Sequence, residues 1–176
     1  PIVQTEAVQS EASISSLYER NKSAVFVIIT SDGTNSIQGS GFFISSLGVA
    51  VSNYHVFKGT YQGLEEIRTL NGNYKIEKVL AQDENMDYII FKVAGSGQSF
   101  PYLRIANSIP KVGENVFAIG NPKGLDHTLS TGIVSALRQN DAIIQTTTEI
   151  THGSSGGPLF NMQGEVIGIT TAGLGE

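Results

Sequence analysis

The chain has 176 residues, of which 40% are hydrophobic and 15% are charged, and it contains no cysteine. This size and composition fit a packed globular protein and exclude an intrinsically disordered one. A net charge of −5 without a basic run excludes a nucleic-acid groove. The lack of cysteine excludes disulfides and cysteine chemistry, and no apolar run is long enough to span a membrane.

Residues 1–12 are polar and lack a clear period, so we predict an arm, in which no signal peptide is recognisable. A start without Met is expected to reflect processing or trimming. Ile14, Leu17 and Tyr18 recur with helical spacing and predict a short amphipathic helix near residues 13–21. After this helix, short apolar runs alternate with turn residues, which predicts β-strands. The predicted strands cover residues 24–29, 39–44, 49–52, 74–82, 88–93, 115–119, 128–137, 142–147 and 166–171.

Many short strands and 20 glycines favour an all-β fold, either barrels or a sandwich. The sequence Gly-Ser-Gly-Gln-Ser at 95–99 is the clearest internal boundary. We therefore predict three segments: the arm and short helix over residues 1–21, a first β unit over 22–100 and a second β unit over 101–176.

Residues 153–158 read Gly-Ser-Ser-Gly-Gly-Pro, a pattern that suits a serine nucleophile. Glycines let the backbone bring a hydroxyl close to a substrate carbonyl and present bare N–H groups to the oxygen that becomes negative. We take Ser155 as the candidate nucleophile. The candidate oxyanion hole consists of the N–H groups of Gly153 and Ser155, with Ser154 in the same turn.

A serine hydroxyl needs a base, and the base needs an orienting group. His55 follows the apolar strand at 49–52, which is a rigid mount for a base; the alternative is a histidine that only packs there. Asp87 directly precedes a buried strand, where a partly desolvated carboxylate needs a partner such as an imidazole N–H. The alternative for Asp87 is a turn-forming cap, and Asp83 is a competing candidate in a solvated turn.

The order of these residues separates two enzyme classes. Residues 153–157 also fit the Gly-x-Ser-x-Gly elbow of α/β-hydrolases, but those enzymes place the histidine after the serine. No histidine follows Ser155. The order His55, Asp87, Ser155 is that of the chymotrypsin-type barrels.

From about residue 24 to residue 173 the chain resembles a trypsin-like serine protease of the HtrA/Deg type. The segments that carry the resemblance are 39–44 with 51–56, 83–93, 118–125 with 131–135, and 145–146 with 153–159. The resemblance implies two six-stranded antiparallel β-barrels with the site in the cleft between them. It also implies a serine endopeptidase that cleaves unfolded or extended polypeptide segments through an acyl-enzyme, with no metal and no cofactor.

The resemblance also assigns substrate-binding residues. Thr170, Thr171, Ala172 and Gly173 resemble the strand whose exposed edge pairs with substrate backbone. Thr171 is further expected to hydrogen-bond the carboxylate of Asp87. The alternative is a last barrel strand without an open edge.

Glu149 and Ile150 are assigned to the pocket for the residue that precedes the cleaved bond, because Glu149 stands six residues before the nucleophile. The family usually has a small residue there and prefers small or medium aliphatic side chains. A carboxylate in the pocket favours Lys or Arg instead, unless Glu149 points to solvent or to a salt bridge. His152 is expected to be an exposed loop residue, with contact at the pocket rim as the alternative. His127 is expected in a turn and is assigned no role.

A rival hypothesis is a catalytically silent or resting protease-fold module that binds extended peptides. Such relatives usually lack one member of the triad, whereas all three residues are present here. By analogy with HtrA relatives, we expect a homotrimer joined through the N-terminal segment and Tyr18. The same analogy implies a quality-control protease of the cell envelope, the periplasm or an organelle.

Overall fold

The structure is a computed structural model that describes residues 13–121 and 127–172. In these residues one short helix precedes twelve β-strands, and a 3₁₀ turn at Tyr54–Val56 follows the third strand. The bounds are α1 Ile14–Asn21, β1 Val25–Ser31, β2 Ser36–Phe43, β3 Val49–Ser52, β4 Glu66–Thr69, β5 Gly72–Tyr74, β6 Ile76–Asp83, β7 Tyr88–Val93, β8 Asn115–Gly120, β9 Thr128–Arg138, β10 Ile143–Thr146, β11 Pro158–Asn161 and β12 Val166–Ile169.

The strands form two curled antiparallel sheets, which confirms the predicted all-β fold with a short N-terminal helix. Within the described ranges, the first sheet has seven strands in the order β5-β4-β1-β2-β3-β7-β6, and the second has five in the order β10-β9-β8-β11-β12. The strand count therefore differs from the expected six and six. The first sheet has one strand more than expected and the second has one fewer. The first sheet includes the short β4–β5 hairpin, in which Thr69 pairs with Gly72.

Helix α1 begins where Ser13 caps it, since the Ser13 hydroxyl accepts a hydrogen bond from the backbone N–H of Ser16 at 3.2 Å. Its apolar side buries Leu17. No helix in the described part of the chain is long and apolar enough to cross a membrane.

Central strands are buried on both faces, which explains their continuous apolar runs. Successive side chains of a strand point to opposite faces of its sheet. In β1, Val25 joins one buried cluster while Phe26 and Ile28 join another. Strand β2 divides Phe42 and Phe43 between the same two clusters. One cluster therefore lies inside the first sheet and the other lies on its opposite face.

The cluster that contains Val25 is shared by both sheets and by the helix. It includes Leu17 of α1, Phe42 of β2, and Phe117 and Phe160 of β8 and β11. The rings of Phe117 and Phe160 stack with centroids 4.5 Å apart. The two sheets thus pack against each other through a common core. The predicted division after residue 100 falls in the connection between β7 and β8, and the three-segment organisation stays a prediction.

Gly156 lies at a close approach between the two halves. Its φ of +92° is a conformation that side chains disfavour. A Cβ there would lie 2.2 Å from the carbonyl oxygen of Ser40 and 2.4 Å from the hydroxyl of Ser52. Both neighbours belong to the first sheet, so only glycine fits at this contact.

We expect Gly156→Ala to lower the free energy of unfolding by about 3 kcal/mol or more, because steric overlap adds to backbone strain. Gly63 is a matched control, since it has the same φ of +92° but a Cβ there would meet nothing within 4 Å. Gly63→Ala should cost only the strain, about 1–2 kcal/mol. Urea denaturation measures both variants, and equal losses would contradict the close contact.

Candidate active site

His55 and Asp87 form a two-point contact at one end of the first sheet. The imidazole Nδ1 of His55 lies 2.7 Å from Oδ2 of Asp87, and the backbone N–H of His55 donates to Oδ1 at 2.9 Å. The side chains are 43% and 25% exposed, so the pair lies at the surface. Because both carboxylate oxygens bind the same residue, the ring orientation of His55 is set by Asp87.

Local turn geometry explains why Asp87, rather than Asp83, meets the histidine. The Asp83 carboxylate accepts the backbone N–H of Met86 at 2.9 Å and so closes the turn between β6 and β7. Asp87 ends this turn with a φ of +53°, a left-handed conformation that aspartate tolerates better than most residues. Lys58, three residues after His55, forms an exposed ion pair with Glu84 of this turn. The hydrogen bond from Lys58 to Glu84 raises the pKa of the Lys58 ammonium.

The buried side chain of Asn53 is hydrogen-bonded to the backbone of Asp87. Asn53 is 1% exposed, and its Nδ2 donates to the carbonyl oxygen of Asp87 at 2.9 Å and to the hydroxyl oxygen of Thr171 at 3.2 Å. The predicted hydrogen bond from Thr171 to the Asp87 carboxylate is not formed. Instead, the Asn53 amide bonds both the Thr171 hydroxyl and the Asp87 carbonyl. The amide thereby ties the strained Asp87 backbone to the second half of the chain.

Ser155 lies in a tight loop of the second half, residues 153–157, which we call the serine loop. The backbone N–H of Ser154 donates to the carbonyl of Thr151 at 3.0 Å, and Gly153 has a φ of +92°. Glycine in this conformation at the third position is what a type II turn requires. The N–H groups of Gly153 and Ser155 have no partner in the described residues, whereas that of Ser154 is already used in the turn.

Ser40 of β2 fixes the serine loop on the first sheet. Its backbone N–H donates to the carbonyl of Ser155 at 2.8 Å, and its hydroxyl donates to the carbonyl of Gly153 at 2.8 Å. Ser40 is fully buried. A Cβ on the preceding Gly39 would lie 2.6 Å from the side chain of Val56 and 3.2 Å from the Ser155 carbonyl oxygen. The serine loop and the segment that carries His55 therefore meet at the same point of β2.

The hydroxyl of Ser155 is bound to the second half of the chain. Its oxygen accepts the backbone N–H of Ala172 at 2.9 Å, and no hydrogen bond joins it to His55 in the described structure. Hydrogen bonds of this kind are often long or misaligned in unliganded enzymes and tighten with substrate. Accepting this bond leaves the proton of the Ser155 hydroxyl free to be donated.

Thr170 and Thr171, which follow β12, differ in whether their backbone groups are hydrogen-bonded. Thr170 is buried, and its N–H and C=O bind Gly157 and Gly156 of the serine loop at 2.8 Å each. The N–H and C=O of Thr171 have no partner in the part of the chain that the structure describes. The open edge is therefore at Thr171, and Gly173 lies outside the described residues.

A pocket of about 790 Å³ adjoins the serine loop, and Glu149, Ile150, His152, Ser154 and Thr170 are among its lining residues. Glu149 and His152 are exposed, while Ser154 and Thr170 are buried. Three of the expected substrate-binding residues, Glu149, Ile150 and Thr170, thus line this pocket beside the serine loop. His152 lies at this pocket and is also exposed, as expected of a loop residue.

The sequence profile of trypsin-like peptidase domains matches residues 39–169. The chain belongs to the trypsin-like peptidase domain family. It is 38% identical over 149 residues to a Synechocystis sp. protein named as serine protease HhoA. It is 43% identical over 141 residues to an Ectopseudomonas mendocina protein named as a DegP-like periplasmic serine endoprotease. These alignments cover 77% and 76% of the chain but 36% and 29% of the relatives, so the chain spans about a third of their length.

Two solved structures share the fold of this peptidase domain. The crystal structure of Deg5 matches with a TM-score of 0.74 and 28% identity, over 90% of this chain and 83% of that one. The serine endoprotease from Yersinia pestis matches with a TM-score of 0.78 and 30% identity, over 90% of this chain and 57% of that one. The resemblance to HtrA/Deg proteases is therefore confirmed.

Sequence reasoning missed two residues that organise the peptidase site, Asn53 and Ser40. Both are small polar residues beside apolar strand positions, and each is buried at 1% exposure or less. A buried polar side chain needs hydrogen-bond partners, so a polar residue next to apolar strand positions could have indicated a structural hydrogen bond at each place. His127, to which the sequence assigned no role, has a structural one: its Nε2 lies 2.8 Å from the carbonyl oxygen of Val25.

The hydrogen-bond partners of His55 and His127 predict that the two imidazoles carry a proton on opposite ring nitrogens. A carbonyl oxygen only accepts, so Nε2 of His127 carries the proton, whereas the Asp87 carboxylate requires the proton on Nδ1 of His55. Long-range ¹H–¹⁵N NMR spectra at pH 8 identify each tautomer. Asp87→Ala should convert His55 to a mixture and leave His127 unchanged. Identical tautomers in the unmodified chain would contradict the geometry.

Proposed function

We propose that this chain is the catalytic domain of a serine endopeptidase, with His55, Asp87 and Ser155 as its catalytic triad. The observation that carries the proposal is the pair of bonds between His55 and Asp87, at the point where the serine loop docks on β2. Two unpaired backbone N–H groups in that loop, those of Gly153 and Ser155, supply the oxyanion hole.

In the proposed reaction, the Ser155 hydroxyl directs its proton to Nε2 of His55. The imidazole Nε2 takes the hydroxyl proton as the oxygen attacks the peptide carbonyl. Asp87 keeps the other ring proton on Nδ1 and stabilises the imidazolium that forms. His55 then donates its proton to the leaving amine. It next takes a proton from a water molecule, which attacks the acyl group and releases it from Ser155.

The proposed substrate is an extended segment of polypeptide. The unpaired N–H and C=O of Thr171 are suited to add a substrate strand through main-chain hydrogen bonds, which bind without reading the sequence. An extended strand is available only in unfolded or flexible proteins, which supports a role in protein quality control.

The proposed location is the cell envelope, on the basis of relatives named as periplasmic. The expected homotrimer stays a prediction. Residues 1–12 lie outside the described part of the chain, and the Tyr18 hydroxyl donates to the carbonyl of His127 at 3.1 Å within the same chain.

A fluorescent diphenyl phosphonate, which reacts with activated serines, tests the triad directly. We expect it to label the native chain at Ser155, and labelling and casein hydrolysis should both be lost in Ser155→Ala and fall by at least about 10³-fold in His55→Ala. Ser96→Ala, which changes an exposed serine outside the site, is the control and should still be labelled. A folded native chain that binds unfolded casein without labelling would instead favour the peptide-binding module.

Asn53→Ala should lower kcat by about 10²-fold, because a small displacement of Asp87 misorients His55. KM should change by less than about twofold, since Asn53 binds only the side chain of Thr171, whereas the proposed substrate edge is the Thr171 backbone. Asn73→Ala is the matched control, because Asn73 is an exposed asparagine whose amide binds Glu66 away from the site. Steady-state kinetics with circular dichroism as the folding check separates the effects. An unchanged kcat would contradict a positioning role for Asn53.

A further inference from the structure

Thr170 directly follows β12, and all three of its polar groups bind the serine loop. Its backbone N–H donates to the carbonyl of Gly157, and its own carbonyl accepts the N–H of Gly156, at 2.8 Å each. Its hydroxyl donates to the carbonyl of Ser154 at 2.9 Å. The residue is 4% exposed. Although the resemblance assigns Thr170 to substrate binding, its main-chain groups are thus already used within the chain.

The hydroxyl of Thr170 has a single proton and two carbonyl oxygens within reach. The oxygen of Ser154 lies at 2.9 Å and that of Gly157 at 3.2 Å. The Gly157 carbonyl already accepts the Thr170 N–H at 2.8 Å, whereas the other donor to the Ser154 carbonyl, the Gly157 N–H, is longer at 3.1 Å. The hydroxyl proton therefore goes to the Ser154 carbonyl.

The carbonyl of Ser154 and the N–H of Ser155 belong to the same peptide group. In a planar trans peptide these two groups point in opposite directions. Because Thr170 holds the Ser154 carbonyl on the buried side, the Ser155 N–H is directed to the open side. This N–H has no partner in the described residues and is one of the two proposed oxyanion donors.

The peptides on either side of this one are anchored by Ser40 of the first sheet. The carbonyl of Gly153 accepts the Ser40 hydroxyl, and the carbonyl of Ser155 accepts the Ser40 N–H, at 2.8 Å each. Between them, the Ser154 carbonyl receives its side-chain hydrogen bond from Thr170. With both neighbours fixed, the remaining freedom of the loop is rotation of the Ser154–Ser155 peptide plane, and the Thr170 hydroxyl opposes it.

We infer that Thr170 is a positioning residue for the oxyanion hole. Its hydroxyl fixes the plane of the Ser154–Ser155 peptide and so aims the Ser155 N–H at the oxygen that becomes negative. A donor that is already aligned needs no reorganisation as the charge develops, which lowers the barrier of the chemical step. Thr170 touches no substrate atom and acts through the serine loop. This inference rests on the proposed peptidase function.

Two substitutions separate the hydroxyl of Thr170 from the shape of its side chain. Thr170→Val keeps the shape and removes the hydroxyl, whereas Thr170→Ser keeps the hydroxyl. Thr170→Val should lower kcat about 10-fold and change KM less than about twofold. The loss is smaller than the roughly 10²–10³-fold of a deleted oxyanion donor, because the Gly157 N–H still binds the Ser154 carbonyl. Thr170→Ser should keep kcat close to the native value.

Thr69→Val is the matched control and should leave kcat unchanged. The Thr69 hydroxyl also donates to a backbone carbonyl, that of Gly72, at 2.9 Å, but it lies in the β4–β5 hairpin outside the site. A peptide aldehyde, whose adduct with Ser155 places an oxyanion in the hole, should bind about 10-fold more weakly to Thr170→Val than to the native chain. The corresponding peptide alcohol, which forms no adduct, should bind both equally.

An unchanged kcat in Thr170→Val, or an equal loss in Thr170→Ser, would overturn the inference. If the native chain neither cleaves casein nor reacts with the phosphonate, the proposed function fails. Residual dipolar couplings measured by NMR then still report the direction of the Ser155 N–H bond without catalysis. A coupling that changes in Thr170→Val and is retained in Thr170→Ser supports the positioning role, and any other pattern overturns it.

Discussion

The contact between the serine loop and the backbone of the first sheet is the constraint on which the site depends. Gly156 approaches the Ser40 carbonyl so closely that no side chain fits between them. Ser40 also binds the carbonyls of Gly153 and Ser155. A shift of this loop by the width of one methyl group would break these bonds and move Ser155 away from His55. The position of Ser155 is thus set by backbone contacts with the other half of the chain.

The shared core makes this contact rigid. The two sheets pack directly against each other, since Phe42 of the first lies in the same buried cluster as Phe117 and Phe160 of the second. Interiors of such density transmit small displacements instead of absorbing them. The apolar runs in the sequence therefore serve two cores at once: one stabilises the first sheet, and the other fixes the relation between the sheets that the site requires.

The sequence was sufficient to predict the β fold, the order of His55, Asp87 and Ser155, and most strands, because these depend on local pattern and residue type. It did not predict strands β4, β5 and β11. Ile67 is the single buried apolar residue of β4, and β11 contains only Leu159 and Phe160 between a proline and an asparagine, so both patterns are too weak to recognise. The bond between Asn53 and Thr171 joins residues 118 positions apart, which no local pattern encodes. The bond from Ala172 to the Ser155 hydroxyl was missed for the same reason.

The Ser40–Gly153 bond spans 113 residues of sequence. Local strand pairs such as β1–β2 can form early, but loops that close over such distances form late, after their entropic cost is met by other contacts. Until then the serine has neither a base nor a binding edge. Under the proposed function, a newly made chain therefore gains the ability to cut only when these long-range contacts have formed.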